Sequence, residues 1–184
     1  MQIKQTFLNA VHLLDVPRYL DNRGWFSESQ HQQDYAQLLG TSSPVFVQSN
    51  VSYSNLGVLR GLHAQRQHPQ GKLIQVLSGE IFDVFVDIRP KSPTFGQWHG
   101  VTLSAAHSQQ LWIPPGFAHG FLTLAEQTVV LYHCSDYYAP NDQITLRWND
   151  ADVNIRWPDL GHEPILSDKD QAGMTLKELQ TCVS

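Results

Sequence analysis

The stretch I-F-D-V-F-V-D-I (residues 81–88) alternates with a period of two. In an extended chain Phe82, Val84, Val86 and Ile88 share one face, and Ile81, Asp83, Phe85 and Asp87 share the other. The first face is uniformly apolar and is predicted to point at a core. The second is mixed, and its carboxylates need partners if they are buried. Shorter runs rich in Val, Ile, Phe, Leu and Trp recur on both sides, at 73–77, 100–103, 110–113, 120–124 and 128–133. Turn signals separate them, among them Asp21-Asn22-Arg23-Gly24, His68-Pro69-Gln70-Gly71, Ser78-Gly79 and Pro114-Pro115-Gly116. Short strands at this spacing predict an all-β fold, a double-sheet jelly-roll barrel. Helices are predicted only at 29–39, which carries apolar Tyr35, Leu38 and Leu39, and at 175–180. One or two short helices are therefore appended to the barrel.

The 184 residues fit a single domain with a full-sized core. The barrel is placed at about residues 43–158, between an N-terminal arm (1–42) and a C-terminal segment (159–184) that packs on it. The chain is 41% hydrophobic and 16% charged, with a net charge of −5, which argues against broad binding to nucleic acid or to an anionic membrane. Cys134 and Cys182 show neither a CxxC spacing nor the density of a secreted scaffold, so both are read as free thiols in a reducing compartment. Asn9, His12 and Asp15 break any signal-peptide core, and no stretch approaches a membrane span of about 20 apolar residues. These features predict a cytoplasmic protein with no membrane partner.

Candidate chemistry gathers in a few places. Gln48 and Asn50 share a strand face; Arg60 and His63 close the apolar run that starts at Leu56. Lys72 enters an apolar strand just after Gly71. His119 follows a rigid Pro114-Pro115-Gly116 turn between Phe117 and Phe121. Tyr132, Tyr137 and Tyr138 stand near Pro140. Taken singly, each is as well explained by packing, a solvated edge or a snorkelling lysine. A metal centre fits poorly. P-P-G-F-A-H is similar to the second motif of metal-binding cupins. Their first motif needs paired histidines one residue apart and a downstream glutamate, and here His63 is followed by Ala64, Gln65 and only then His68.

Longer motifs narrow the reading. D-N-R-G-W-F-S-E (21–28), Q-S-N-V-S (48–52), L-R-G-L-H-A-Q (59–65), Q-G-K-L (70–73), L-W-I-P-P-G-F-A-H-G-F (111–121), Y-H-C-S-D-Y-Y-A-P (132–140) and L-S-D-K-D (166–170) occur in order. With these motifs the chain resembles the dTDP-4-dehydrorhamnose 3,5-epimerases, metal-independent cupin-fold enzymes, over about residues 10–170. The resemblance implies a dTDP-linked 4-keto-6-deoxyhexose as substrate, with no metal and no redox cofactor. It implies His63 as general base, Asp170 as the carboxylate that orients it, Tyr132 as the acid on the other face of the sugar, and Lys72 as the cation for the developing oxyanion. Arg60 and Arg23 are implied to grip the diphosphate, and Phe26 and Tyr138 to pack the thymine. Glu28, Gln48, Asn50, His119 and Lys169 are implied as further substrate contacts. In the family the segment around 23–28 reaches a neighbouring chain's site, which implies a homodimer. Asp83 is expected to buttress His119. Ala64 stands where the family commonly has an aromatic ring and is expected to widen the pocket.

Overall fold

A strand of five to seven residues buries too little to persist alone, so the fold is decided by which strands pair. The computed structural model describes residues 1–40 and 43–183. The chain runs β1 (Gln2–Phe7), β2 (Val11–Asp15), β3 (Tyr19–Asp21), β4 (Gly24–Phe26), α1 (Gln32–Leu39), β5 (Gln48–Ser54), β6 (Leu59–Gln65), β7 (Lys72–Ser78) and β8 (Glu80–Asp87). It continues through β9 (Trp98–Ser104), β10 (Gln109–Ile113), β11 (Phe117–Thr123), β12 (Thr128–Cys134), β13 (Gln143–Thr145), α2 (Asp168–Gln171) and α3 (Leu176–Val183). A six-stranded sheet, in the order β1-β2-β10-β7-β12-β5, faces a five-stranded sheet, in the order β13-β6-β11-β8-β9. The fold is the jelly roll that the alternation predicts. β3 and β4 form a separate two-stranded hairpin.

Three differences from the sequence pattern have physical causes. The six-stranded sheet takes in residues 2–15, which the pattern assigns to an arm. Their motif is weak because β1 is an edge strand with mostly exposed residues. The arm's last two positions, 41 and 42, lie outside the described residues. α1 begins at Gln32 rather than at 29, because the Ser29 carbonyl accepts from Gln110 Nε2 at 2.8 Å and is held to the sheet. A short helix, α2, forms where none is predicted; the Ser167 side chain caps it by accepting from the Asp170 N–H.

Both faces of β8 are buried, and the mixed one looks inward. Ile81 and Phe85 join Phe7, Val11, Ile74 and Phe121 in the core between the sheets. Val84 and Val86, with Ile88 just beyond, pack instead beneath the C-terminal part of the chain, against Leu146, Val153 and Leu179. The uniformly apolar face is therefore the outer face of the five-stranded sheet, roofed by the chain that follows β13 and by α3. On the other sheet Tyr35 of α1 packs with Leu14, Leu73 and Trp112, and its hydroxyl donates to Gln110 Oε1 at 2.6 Å.

The carboxylates on the inward face of β8 are partnered. Asp87 accepts from Arg89 Nε and Nη2 at 2.9 and 2.6 Å, from Ser92 Oγ at 2.5 Å and from Thr94 Oγ1 at 2.6 Å. Burial alone would raise its pKa, but these donors outweigh burial and hold it at about 2. A folded pKa below the unfolded value means that the stabilisation is present above about pH 4 and is lost as pH falls toward 2. Asp87→Asn is therefore expected to lower unfolding free energy by about 2 kcal/mol at pH 7. In urea titrations the gap to the unaltered protein should close as the pH is lowered through this window.

β6 and β11 approach closely at two glycines. Gly61 sits at φ +113°, and a Cβ there would stand 2.6 Å from the His119 carbonyl oxygen and 2.7 Å from Gly120 Cα. A Cβ on Gly120 would stand 2.5 Å from the Arg60 carbonyl oxygen. Gly61→Ala is expected to lower stability by about 1–3 kcal/mol, read in the same urea titrations.

Candidate active site

Strand alternation decides what enters the barrel. On β6 His63 and Gln65 face inward, and on β5 Gln48, Asn50 and Ser52 do the same. Antiparallel register sets neighbours: His63 lies opposite His119, Tyr132 opposite Asn50, and Cys134 opposite both Gln48 and Lys72. The result is one cavity of about 380 Å³ lined from both sheets, with α2 and the loop after β12 at its rim. It collects His63, Lys72, Tyr132 and Asp170, together with His119 and Asn50. Gln48, Arg60, Tyr138 and Lys169 complete the set that the resemblance implies within one chain.

Two histidine–carboxylate pairs lie across the β6–β11 register. His63 Nε2 is 2.5 Å from Asp170 Oδ1. Burial would raise the Asp170 pKa, but bonds from His63, the Gly61 N–H and Ser167 outweigh it and leave the carboxyl below its ordinary value. Asp170 is thus ionised at neutral pH and can only accept, so Nε2 carries the proton and Nδ1 the lone pair. His119 Nε2 is 2.9 Å from Asp83 Oδ2, while the other oxygen of Asp83 is buried without a hydrogen-bond partner. Burial pushes the Asp83 pKa up, against the pull of His119 and Lys72. Burial also pushes Lys72 down, and Cys134 and Asp83 oppose it. Lys72 Nζ reaches the His63 carbonyl oxygen at 3.4 Å. The Tyr132 phenol is raised by burial and by Cys134, with Arg60 acting the other way.

The rim is polar. Arg60 is anchored to the β5 edge, donating to Ser54 Oγ at 3.0 Å and to the Tyr53 carbonyl at 3.1 Å. Gln48 accepts from the Tyr138 N–H at 2.9 Å and donates to Asn50 at 2.9 Å. Gln143 Oε1 accepts from Lys169 Nζ at 2.6 Å and from the Tyr138 hydroxyl at 2.8 Å. The sequence reading misses Gln65, Gln70, Gln143 and Ser167 as lining residues. For Gln65 a signal existed, because it shares the inward face of β6 with His63.

Arg23, Phe26 and Glu28 do not reach this cavity within the chain. Arg23 pairs with Asp21 at 2.5 Å at the tip of the β3–β4 hairpin, Phe26 is 64% exposed and stacks on Tyr19, and Glu28 borders a separate hollow with Tyr19 and His31. Ala64 borders the cavity, but it alternates with His63 and packs in the outer cluster with Leu62 and Ile144. Among the described residues, no cluster of three or more His, Cys, Asp or Glu side chains is arranged to hold a metal ion, and no helix is long and apolar enough to cross a membrane.

Sequence and structure comparisons agree with this geometry. The family model described as dTDP-4-dehydrorhamnose 3,5-epimerase matches residues 5–178. A dTDP-4-dehydrorhamnose 3,5-epimerase of Salmonella typhimurium is 48% identical over 179 residues, covering 97% of each chain. The crystal structure of a dTDP-6-deoxy-D-glucose-3,5-epimerase from Legionella pneumophila, in complex with dTDP-4-keto-L-rhamnose, superposes with a TM-score of 0.92 at 47% identity, covering 97% of this chain and 96% of that one. A 3′-monoepimerase from Streptomyces bikiniensis, solved with dTDP-quinovose, has a TM-score of 0.87 at 32% identity, over 94% of this chain and 87% of that one. The fold is thus shared with double and single epimerases, and these two double epimerases are the more similar in sequence. The chain belongs to the dTDP-4-dehydrorhamnose 3,5-epimerase family of isomerases.

Proposed function

We propose that the chain inverts C3 and C5 of dTDP-4-dehydro-6-deoxy-D-glucose to give dTDP-4-dehydro-L-rhamnose. The observation that carries this is a single cavity holding His63 bonded to the Asp170 carboxylate, the Tyr132 hydroxyl and the Lys72 side chain. C3 and C5 both flank the C4 ketone, so each carries an acidified proton. His63 Nδ1 takes the proton and the electron pair moves to the ketone oxygen as an enolate. The imidazolium is stabilised by Asp170, and Lys72 stabilises the oxyanion. Tyr132 returns a proton to the carbon on the opposite face, which inverts the centre. The sequence requires no electron acceptor and no metal.

The rim supplies binding. Arg60 and Lys169 offer cations to the diphosphate, and Tyr138 a ring for the base. Gln48, Asn50 and His119 provide polar contacts to the bound sugar nucleotide. Arg23, Phe26 and Glu28 act in trans: the β3–β4 hairpin completes the cavity of a second copy in a homodimer. Its support is the hairpin itself, a two-stranded sheet that leaves Leu20 80% exposed beside Trp25 and Phe26. The protein works in the cytoplasm, where buried Cys134 and exposed Cys182 remain thiols. A net charge of −5 supports no nucleic-acid or membrane partner.

In D2O the protein is expected to place deuterium at both C3 and C5 of the product, read by NMR or mass spectrometry. Incorporation at C3 alone would make it a single epimerase. His63→Ala is expected to lower kcat by about 10²–10⁴-fold, and Lys72→Met by about 10²–10³-fold; full exchange activity in His63→Ala would overturn the mechanism. Arg23→Ala is expected to raise KM about tenfold. Mixed dimers formed from Arg23→Ala and His63→Ala chains should regain sites with unaltered KM, whereas a hairpin acting on its own chain would restore none.

A further inference from the structure

The wall that carries Tyr138 has little apolar anchoring. Residues 135–139 form no strand or helix, Tyr138 is 47% exposed, and Tyr137 is exposed as well. What holds this wall is a set of side-chain amides from the neighbouring strand ends and the loop before β7. Gln65 is 7% exposed. Its Oε1 accepts from the Ala139 N–H at 2.9 Å, and its Nε2 donates to the Tyr137 carbonyl at 3.2 Å and to the His68 carbonyl at 2.6 Å. The backbone groups on either side of Tyr138 are thus gripped by one carboxamide. The N–H of Tyr138 itself is taken by Gln48 Oε1 at 2.9 Å. A neighbouring bond, from Gln70 Nε2 to the Asp136 carbonyl at 2.7 Å, ties the start of the same loop.

We propose that Gln65 is a positioning residue for nucleotide binding: its carboxamide, buried beside His63, fixes the backbone of 137–139 so that the Tyr138 ring is in place before the ligand arrives. The inference rests on the reading of the cavity as a dTDP-sugar site. The chemistry of the side chain is specific. One oxygen must accept while one nitrogen donates twice, and among side chains of this length only a glutamine amide does both. Glutamate keeps the acceptor and loses both donors; methionine keeps the shape and loses all three bonds. Loosening the wall charges the cost of ordering it to each binding event, so affinity falls while the reacting groups stay where they are.

The test is a double-mutant cycle. Dissociation constants for dTDP are measured by calorimetry, and kcat and KM on the dTDP-4-keto sugar, for Gln65→Met and Gln65→Glu with Tyr138 intact and with Tyr138→Ala. Gln65→Met is expected to raise both Kd and KM about tenfold and to leave kcat within twofold; Gln65→Glu, which sets an acceptor against two carbonyl oxygens, should raise them at least as much. In the Tyr138→Ala background the same substitutions should change Kd by less than twofold, because the ring they position is gone. An unchanged Kd, a loss of kcat at constant KM, or a full tenfold effect that persists without the Tyr138 ring would each overturn the proposal. Failure of both Gln65 variants to fold would do so too, by making Gln65 a residue of the fold. If the unaltered protein does not bind dTDP, the proposed function fails instead, and that outcome is read before any variant is made.

Discussion

The close approach of β6 to β11 at Gly61 and Gly120 is the constraint on which the site depends. Each glycine faces the backbone of the other strand at a distance that a Cβ would violate. That contact brings His63 level with His119, with the register shifting just beyond, between His119 and Phe121. Each imidazole then meets a carboxylate from a different quarter. Asp170 comes from the C-terminal α2, whose Ser167 cap presents it, and Asp83 comes from β8 on the far side of β11. Moving the two strands apart by the width of a methyl group would disturb both pairs together.

The electrostatics follow from burial shared among few groups. Lys72, Asp83, Cys134 and Tyr132 all carry shifts caused first by burial, and each is pulled back by a neighbour of helpful sign, Tyr132 by Arg60. In a cavity of this kind a cation acts through a low dielectric, so its effect on a developing enolate is far larger than in water. Asp83 is the counterweight. Burial raises its pKa, and His119 and Lys72 lower it, while its second oxygen is buried without a hydrogen-bond partner. The same face of β8 carries Asp87, whose donors remove it from this exchange entirely. The face that looks mixed in the sequence is divided between one carboxylate for the fold and one for the site.

Much of this was legible in the residues, for reasons that differ from element to element. Period-two alternation found β8 because both of its faces are buried by defined partners, but it could not say which face looks into the barrel. A uniformly apolar face is as well suited to a roof of loop and helix as to an opposing sheet. β1 escaped notice because an edge strand exposes its side chains. The residues that line the cavity in one chain were recoverable through motifs, since alternation and register then place them without further information. Arg23, Phe26 and Glu28 could not be placed by a single chain, because nothing within it holds the hairpin against the cavity. Gln65 and Ala64 show the opposite lesson. Both follow from counting along β6 from His63: Gln65 shares its inward face, and Ala64 packs in the outer cluster while bordering the cavity.

The division of labour between the sheets bears on why the reaction would invert a centre. His63 belongs to β6 in the five-stranded sheet, whereas Tyr132 belongs to β12 and Lys72 to β7 in the six-stranded sheet. A hexose ring lodged between two facing sheets, about 10 Å apart, presents one face to each. With the roles proposed for His63 and Tyr132, a base on one sheet and an acid on the other would address opposite faces of the same ring without any side chain having to reach around it. For racemisation at a single site one group suffices, taking and returning a proton on either side. Inversion by two groups needs them on opposite sides of the ring, so that a proton leaves one face and another arrives at the other, and two facing sheets supply that arrangement. The pairing of His63 with Asp170 from the C-terminal roof then keeps the proton-accepting face polarised, while burial keeps the Tyr132 phenol protonated and ready to donate.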